Sequence, residues 1–121
     1  MNKNIQSFKL LVVAFIIALS ACKEQKKFSY EKWNYSPDSL YPPPDREKTL
    51  KDLTTNYKLV GLTCSQLEKL LGETSKESNK MYYNLKIEYG FPDPVYTENL
   101  VFEFSKDSIV TSFKIEEWEE D

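Results

Sequence analysis

From Asp45 onward, apolar residues recur first at the spacing of a helix. Leu50, Leu53 and Tyr57 are three and four residues apart, which predicts one apolar face on a helix of about three turns. We expect this helix to begin at Arg46 with the Asp45 side chain as its N-cap, because the proline run before Asp45 cannot be helical.

A second, shorter helix has a start, a face and an end that agree. The sequence Thr63-Cys64-Ser65-Gln66 fits a capping box, in which the threonine hydroxyl and the glutamine amide each accept a backbone N–H. Gly72 is expected at the C-cap with a positive φ, and Gly61 at the turn between the two helices. The apolar face consists of Leu67, Leu70 and Leu71.

Beyond Gly72 the apolar period changes to the alternation of strands. After a polar loop at 73–80, three alternating runs predict three strands, separated by the proline-containing segment 90–94 and by a turn at 105–108. The acidic end at 116–121 is expected to fray, with Trp118 the exception. The apolar positions of the three runs are Tyr83, Leu85, Ile87 and Tyr89; Leu100, Phe102 and Phe104; and Ile109, Phe113 and Ile115, with Thr111 in the same phase.

These elements predict an α+β domain over residues 45–121. Two N-terminal helices would pack on a three-stranded antiparallel β-meander as a two-layer sandwich. The expected core consists of Leu50, Leu53, Leu67, Leu70, Leu71, Leu85, Ile87, Leu100, Phe102, Phe104, Phe113 and Ile115.

The N-terminus has the order of a signal peptide. Residues 1–9 are polar with two lysines, residues 10–18 are uninterrupted apolar sequence, and Leu19-Ser20-Ala21-Cys22 follows. A bilayer-spanning helix needs about 20 apolar residues, so this run is too short to be one. We interpret residues 1–21 as a signal peptide removed from the mature chain.

The four residues that end this run resemble the lipobox of bacterial lipoproteins. That resemblance implies that Cys22 carries covalent lipid and that the chain is cut before it; the alternative is an ordinary secretory signal with an incidental cysteine. Two or three acyl chains anchor a protein stably to a membrane. Lys23 resembles the residue at that position in the outer-membrane class, so we expect a lipid-anchored protein of the outer membrane.

Residues 22–44 have the charge and the terminal prolines of a tether. A flexible chain of this length spans on the order of 25 Å. However, five aromatic residues lie within it, whereas spacers are usually poor in aromatics. Either this stretch packs back on the domain or adds an edge strand, which we favour, or it is a partner-binding segment that orders on contact. The five are Phe28, Tyr30, Trp33, Tyr35 and Tyr41.

Composition limits the function classes. Two of the 16 basic residues precede the cut and all 19 acidic residues follow it, so the mature formal charge is about −5. An acidic body argues against nucleic acid as a partner. If Cys22 carries lipid, Cys64 is the one cysteine left, so we expect no disulfide within the chain.

The residues Leu59-Val60-Gly61-Leu62-Thr63, with the later Leu70-Leu71-Gly72, resemble the signature of the SmpA/OmlA (BamE-like) lipoprotein domain. Tyr82-Tyr83-Asn84-Leu85 and Leu100-Val101-Phe102-Glu103-Phe104 are similar to its first strand and terminal hairpin. The resemblance covers about residues 45–115. It implies two helices on a three-stranded sheet, an envelope location and a role in protein–protein contact. The chain departs from the family at Thr74 and Cys64.

Catalysis and metal binding find little support in the residues. The chain contains no histidine, so no Ser-His or Cys-His pair exists. Cys64, in the first turn of a helix, is interpreted as structural, and the acidic end as a solvated tail. We expect no catalytic residue, no metal site and no cofactor other than the lipid on Cys22.

Binding has better candidates, because six large aromatics are not assigned to the core. If several share the open face of the sheet, they form an anchor cluster of the kind found in interfaces; alternatively they cover that face for the domain itself. We therefore expect a non-enzymatic interaction module with a protein partner, or else an inhibitor or ligand-binding lipoprotein acting on a soluble partner. The six are Trp33, Tyr35, Tyr82, Phe91, Tyr96 and Trp118.

Overall fold

The computed structural model describes residues 24–121, which form three helices and one antiparallel sheet of four strands. The predicted signal peptide and Cys22 lie outside the described residues. The helices are α1 (Tyr30–Asn34), α2 (Asp45–Asn56) and α3 (Cys64–Leu71), and the strands, in sheet order, are β1 (Ser75–Glu77), β2 (Lys80–Tyr89), β3 (Pro94–Phe104) and β4 (Val110–Glu119).

The α+β class is confirmed, whereas the expected count of two helices and three strands is corrected by α1 and β1. β1 was missed because all three of its residues are polar and exposed, so no apolar alternation marks it. It pairs with the start of β2 across a tight turn in which Ser78 has a φ of 58°. α1 begins after Ser29, whose hydroxyl accepts the backbone N–H of Lys32 at 3.2 Å.

Residues 26–44 are packed on the domain rather than extended away from it. The N–H of Lys26 donates to the carbonyl of Lys48 in α2 at 2.9 Å, and the N–H of Phe28 donates to the Asp52 carboxylate at 2.7 Å. Phe28 and Trp33 are buried in the main core. The favoured alternative, in which this stretch packs back on the domain, is therefore the one observed from Lys26 onward. The segment packs back, adding a helix and not an edge strand.

The start of α2 differs from its prediction by one residue. Asp45 is the first helical residue and not the N-cap, because Pro44 before it already has helical angles, with φ −66° and ψ −25°. Pro44 has no side-chain donor or acceptor, and no side-chain cap bond is formed at this end. The Asp45 carboxylate instead lies 3.4 Å from the Lys26 ammonium, which further ties the N-terminal segment to the helix.

The prediction for α3 is confirmed in its start and its end. The Thr63 hydroxyl accepts the N–H of Gln66 at 3.1 Å, and the Gln66 side chain accepts the N–H of Thr63 at 2.9 Å. Gly61 and Gly72 have positive φ values of 99° and 92°. At Gly72 a Cβ would also lie 2.8 Å from the Asn34 side-chain oxygen, so glycine makes room for α1.

Two irregularities in the sheet change which residues face the helices. A register shift between Asn84 and Lys86 leaves Leu85 as an extra residue in β2, so that Ile87 aligns with Thr97. Such a shift moves every later side chain to the opposite face, which is why Ile87 does not join the core.

The second irregularity lies where β4 begins. Phe104 pairs with Val110 and Glu103 with Ser112, so Thr111 is skipped. As a result Val110 is buried, whereas the predicted strand residue Ile109 is exposed. β4 also continues to Glu119, which pairs with Tyr96, so the expected fraying of residues 116–119 is wrong: β3 is long enough to keep pairing with them.

The core lies between the helices and one face of the sheet. Of the predicted members, seven are buried, while Leu50, Leu70 and Phe113 are partly buried against them, and Ile115 is exposed. The residues missed by the pattern come mostly from the N-terminal segment and from the edges of the predicted elements: Phe28, Trp33, Leu59, Met81, Tyr83 and Val110. None of the helices in residues 24–121 has the length and apolar character needed to cross a bilayer.

Candidate interaction surfaces

The six predicted binding aromatics do not converge on one face. Trp33 is fully buried between α2 and the sheet, so its assignment to a binding surface is corrected: it is a core residue. Its indole ring meets Phe28 and Tyr83 edge to face, with centroids 5.9 and 6.1 Å away. The burial of Trp33 could not be predicted, because a five-residue helix is too short to show an apolar periodicity.

Arg46 holds this buried tryptophan against the sheet. Its guanidinium carbon lies 5.2 Å from the Trp33 ring centre and 5.8 Å from that of Tyr83. Its Nε donates to the Trp33 carbonyl and its Nη1 to the Asn84 carbonyl, both at 2.9 Å. Burial lowers the pKa of Arg46 to about 10, and the electrostatic interaction with Tyr83 raises it in part. The guanidinium therefore stays charged at neutral pH. Arg46 therefore joins the N-terminal segment, α2 and β2 at one point.

Tyr83 completes this buried cluster. Its hydroxyl donates to the Gly72 carbonyl at 2.8 Å, which satisfies the C-terminal end of α3. Burial is the main reason that the pKa of Tyr83 is raised above its ordinary value. The arrangement is structural, because the hydroxyl has a partner within the fold and lies away from solvent.

Tyr82 and Trp118 both lie on the open face, the face of the sheet turned away from the helices. They belong to different cross-strand rows. Tyr82 aligns with Val101, which aligns with Lys114, and Val101 at the centre of this row is buried. Trp118 aligns with Thr97, which aligns with Ile87, and the indole is half exposed. Two rows separated by the polar pair Asn84 and Asn99 do not form one continuous aromatic cluster.

Tyr96 lies on the face opposite to Trp118, beyond the end of the helix layer. The Lys86 ammonium is 5.8 Å from its ring centre. Desolvation, followed by the neighbouring carboxylates of Glu98 and Glu117, raises the pKa of Tyr96 to about 12. The phenol therefore stays protonated, and it contributes a polar rim to the sheet rather than an apolar anchor.

The most exposed aromatic is Phe91, at the tip of the hairpin that joins β2 and β3. The N–H of Gly90 donates to the carbonyl of Asp93 at 2.8 Å, closing a tight turn from which the Phe91 side chain projects fully into solvent. Near the base of this hairpin, the rings of Tyr41 and Tyr89 meet edge to face at 5.4 Å, and the Tyr89 hydroxyl donates to the Leu40 carbonyl at 2.6 Å. We call Leu40, Tyr41, Tyr89 and Phe91 the hairpin tip; all four are exposed.

Tyr35 is also exposed, but it follows α1, where Asn34 lies beside Gly72 at the end of α3. No ring contact joins it to the other five candidates within residues 24–121. The sequence thus identified four exposed or half-buried aromatics on separate surfaces and one exposed aromatic, Phe91, that stands out from its surroundings. It missed Leu40, Tyr41 and Tyr89 as neighbours of the hairpin.

Cys64 is half-buried in the first turn of α3. Its sulfur lies 3.6 Å from the Met81 sulfur and 3.9 Å from a carboxylate oxygen of Glu68. Lys76 pairs with Glu68 and also interacts with the Cys64 thiol, and its hydrogen bond with Glu68 is the main reason that the pKa of Lys76 is raised. The cation beside the thiol is thus shared with a carboxylate, so the geometry suits a packed side chain.

The acidic residues near the C-terminus are placed by β4 on alternating faces. Glu116 aligns with Asn99 on the open face, and Glu117 aligns with Glu98 on the other. The alternation separates Glu116 from Glu117, while the strand pairing places Glu117 beside the Glu98 carboxylate. Within residues 24–121 there is no group of three or more potential ligands arranged to hold a metal ion.

The chain was compared with protein families, curated proteins and solved structures. No family model matches the chain, and no curated protein and no solved structure matches it. The similarity to the SmpA/OmlA domain consequently remains a resemblance in the residues quoted above.

Proposed function

We propose that this chain is a lipid-anchored, non-enzymatic protein-interaction module of the bacterial envelope, attached to the outer membrane through Cys22 as an accessory of a larger complex. The observation that carries the proposal is how soon the packed fold begins after the lipobox-like sequence. Only residues 23–25 separate Cys22 from Lys26, whose backbone is already hydrogen-bonded to α2.

A linker of this length sets a short reach. Four residue steps span at most about 14 Å even when the chain is fully extended. A lipidated copy would therefore hold its domain against the membrane surface, instead of standing it off on a long tether. A module of this kind suits a partner that is itself embedded in the bilayer.

The hairpin tip supplies the surface for contact. Phe91 projects from a closed turn, and Tyr41 and Tyr89 are held in place by their mutual ring contact at 5.4 Å. Rigid exposed aromatics are the typical anchors of protein interfaces, because they bury a large area for little loss of side-chain entropy. We infer that the partner binds over Phe91.

A second candidate is favoured by the convex shape of this same tip. A turn that projects a single aromatic side chain fits the cleft of a soluble protein, as expected of an inhibitor or ligand-binding lipoprotein. The two candidates differ in the partner. Recovery of integral barrel proteins would support the first, whereas a soluble enzyme as the sole partner would exclude it in favour of the second.

The lipid anchor is tested by replacing Cys22. The full chain with Cys22→Ala should no longer incorporate labelled fatty acid, and its precursor should accumulate uncut. The matched control, Cys64→Ala, removes the other thiol and should leave the labelling unchanged. Continued fatty-acid labelling of the Cys22→Ala chain would exclude a lipid anchor at this residue.

The contact surface is tested by affinity capture from detergent-solubilised envelope. Phe91→Ser should reduce recovery of the partner by about tenfold or more, as expected for an interface anchor. Tyr35→Ser is the matched control, since it removes an exposed aromatic from another part of the surface and should leave recovery unchanged. Circular dichroism should be the same for both variants. Equal recovery with Phe91→Ser would exclude the tip as the binding surface.

A further inference from the structure

The outer edge of β4 is an unpaired strand edge over most of its length. β4 is the last strand of the sheet. Only its first residue has backbone partners outside the sheet: Val110 donates to Leu62 at 2.8 Å and accepts from Gly61 at 2.9 Å. From Ser112 to Glu119, no other element of residues 24–121 pairs with this edge. An edge strand of this length offers a row of hydrogen-bonding groups to another chain.

The other edge of the sheet is treated differently. β1 covers the start of β2; beyond it, Arg46 of α2 donates to the Asn84 carbonyl, and the Tyr89 hydroxyl donates to the Leu40 carbonyl of the N-terminal segment. This edge is therefore partly covered by the chain itself, whereas the β4 edge is open from Ser112 onward.

Apolar side chains extend to this open edge without cover. Leu100 and its register partner Ile115 lie on the same face, yet Leu100 is 0% exposed and Ile115 is 48% exposed. Phe113, the partner of Phe102, is half-buried beside it. The core thus continues one residue beyond the helices that cover it.

The charges on β4 complement one another in an antiparallel pair of two identical strands. If the two-fold axis passes through Ile115, each Lys114 lies opposite Glu116 of the second copy, and the two Ile115 side chains meet at the centre. Moving the axis by one residue places Lys114 opposite Lys114, or Glu116 opposite Glu116. Like charges directly opposite each other destabilise a pair of strands, so only one of these three registers is favourable.

We propose that two copies of this chain associate through antiparallel pairing of their β4 strands, centred on Ile115, to form one continuous eight-stranded sheet. The partner for this surface is a second copy, because Lys114 and Glu116 of β4 are complementary in that register. The pairing covers Ile115 and turns the Lys114–Glu116 ion pair, 3.2 Å long within one chain, into two cross-strand pairs. An interface of about eight residues a side is small, so we expect a dissociation constant on the order of micromolar.

Charge reversal tests the register. The full chain is purified in a mild detergent and examined by sedimentation velocity. The solvent density is matched to that of the detergent, so that bound detergent does not contribute to sedimentation. Wild type should dimerise. Lys114→Glu and Glu116→Lys, each alone, place like charges opposite each other and should raise the dissociation constant by about tenfold or more. Lys106→Glu, in the turn before β4, is the control for a change of net charge and should still dimerise.

Mixing the two reversed variants provides the decisive result. In a mixed pair, every glutamate at these positions lies opposite a lysine, so two chains that fail to associate with themselves should associate with each other. A mixture that stays monomeric would overturn the proposal. So would a wild type that is monomeric at about 100 μM, since an edge kept free by its own charges would behave in that way.

Disulfide trapping tests the same register independently. In a Cys64→Ser background, Ile115→Cys places two thiols opposite each other, with Cβ atoms about 5 Å apart, close to the distance that a disulfide bridges. Glu117→Cys lies on the same face, but the two thiols would be about 13 Å apart. Only Ile115→Cys should give a covalent dimer on mild oxidation. Trapping at position 117 and not at 115 would overturn the register. The Cys64→Ser chain alone reveals any cross-link through Cys22.

Discussion

The two tryptophans of this chain lie on opposite faces of the sheet. Trp33 is 0% exposed, and Trp118 is 50% exposed. Trp33 comes from a segment without apolar alternation, and it is covered because Phe28, Arg46 and Tyr83 pack around it. Trp118 lies on the open face of β4 near its end, where no element of residues 24–121 covers that face or pairs with the outer edge of the strand.

The same difference separates Leu100 from Ile115. These two residues are register partners on one face, and both were expected in the core. An alternating pattern shows which face a residue belongs to, but burial also requires a second layer above it. On the β2 side the N-terminal segment and α2 supply that layer, whereas on the β4 side the helices end before Ile115. Position within the sheet, and not the pattern of the strand, decides exposure here.

The largest test of this comparison is to remove each tryptophan in turn. Trp33→Ala should lower the free energy of unfolding by about 3–5 kcal/mol, because it empties a packed site shared with Phe28 and Tyr83. Trp118→Ala should change it by less than about 1 kcal/mol. Urea unfolding followed by circular dichroism gives both values. Similar losses for the two variants would contradict the contrast between the two sides.

A smaller effect is expected from Arg46, which fastens the covered side. Arg46→Met keeps much of the apolar stem but leaves the carbonyls of Trp33 and Asn84 without a donor, at a cost of about 2–3 kcal/mol. Lys51→Met, an exposed change on the same helix, should cost less than about 0.5 kcal/mol. Arg46→Lys should restore little of the lost free energy of unfolding, because an ammonium cannot reproduce the two fixed donors of the guanidinium. If lysine restores the full stability of the wild type, the site requires only a positive charge.

The smallest effect concerns the acid sensitivity of the N-terminal segment. Asp52 accepts the N–H of Phe28, which, with the Asn56 side chain, lowers the pKa of Asp52 below its ordinary value. The folded pKa is depressed, so this stabilisation is present above about pH 4 and is lost as the pH falls through the folded pKa. Asp52→Asn should therefore flatten the decline of the thermal midpoint below about pH 4. Parallel curves for wild type and variant would show that this carboxylate does not contribute.

Local signals predicted local structure well. The capping box of α3, the C-cap at Gly72 and the turn at Gly61 were predicted correctly, because each depends on a few adjacent residues. The α+β class followed from the change of apolar period at Gly72. The extra residue Leu85 in β2 and the skipped Thr111 in β4 were not predictable, because a register shift depends on the partner strand and not on the strand's own pattern.

The candidate surfaces were predicted less well, for a related reason. An aromatic outside the alternation can be either exposed or buried by a distant segment, and the sequence does not distinguish Phe91 from Trp33. The stacking of Arg46 on Trp33 and Tyr83 joins residues far apart in the chain, so no local sequence pattern predicts it. The open edge of β4 depends on the order of the strands in the sheet, which the sequence pattern does not specify.

The shortness of the linker before Lys26 has a consequence for how two copies would meet. If Cys22 carries the lipid proposed above, each domain diffuses in the plane of the membrane and can turn about the membrane normal, but it has little freedom to tumble. Much of the orientational entropy that a soluble pair loses on association is then already lost by each copy alone. An edge too weak to hold two free domains together at low concentration can do so when both are held at the same height on one surface.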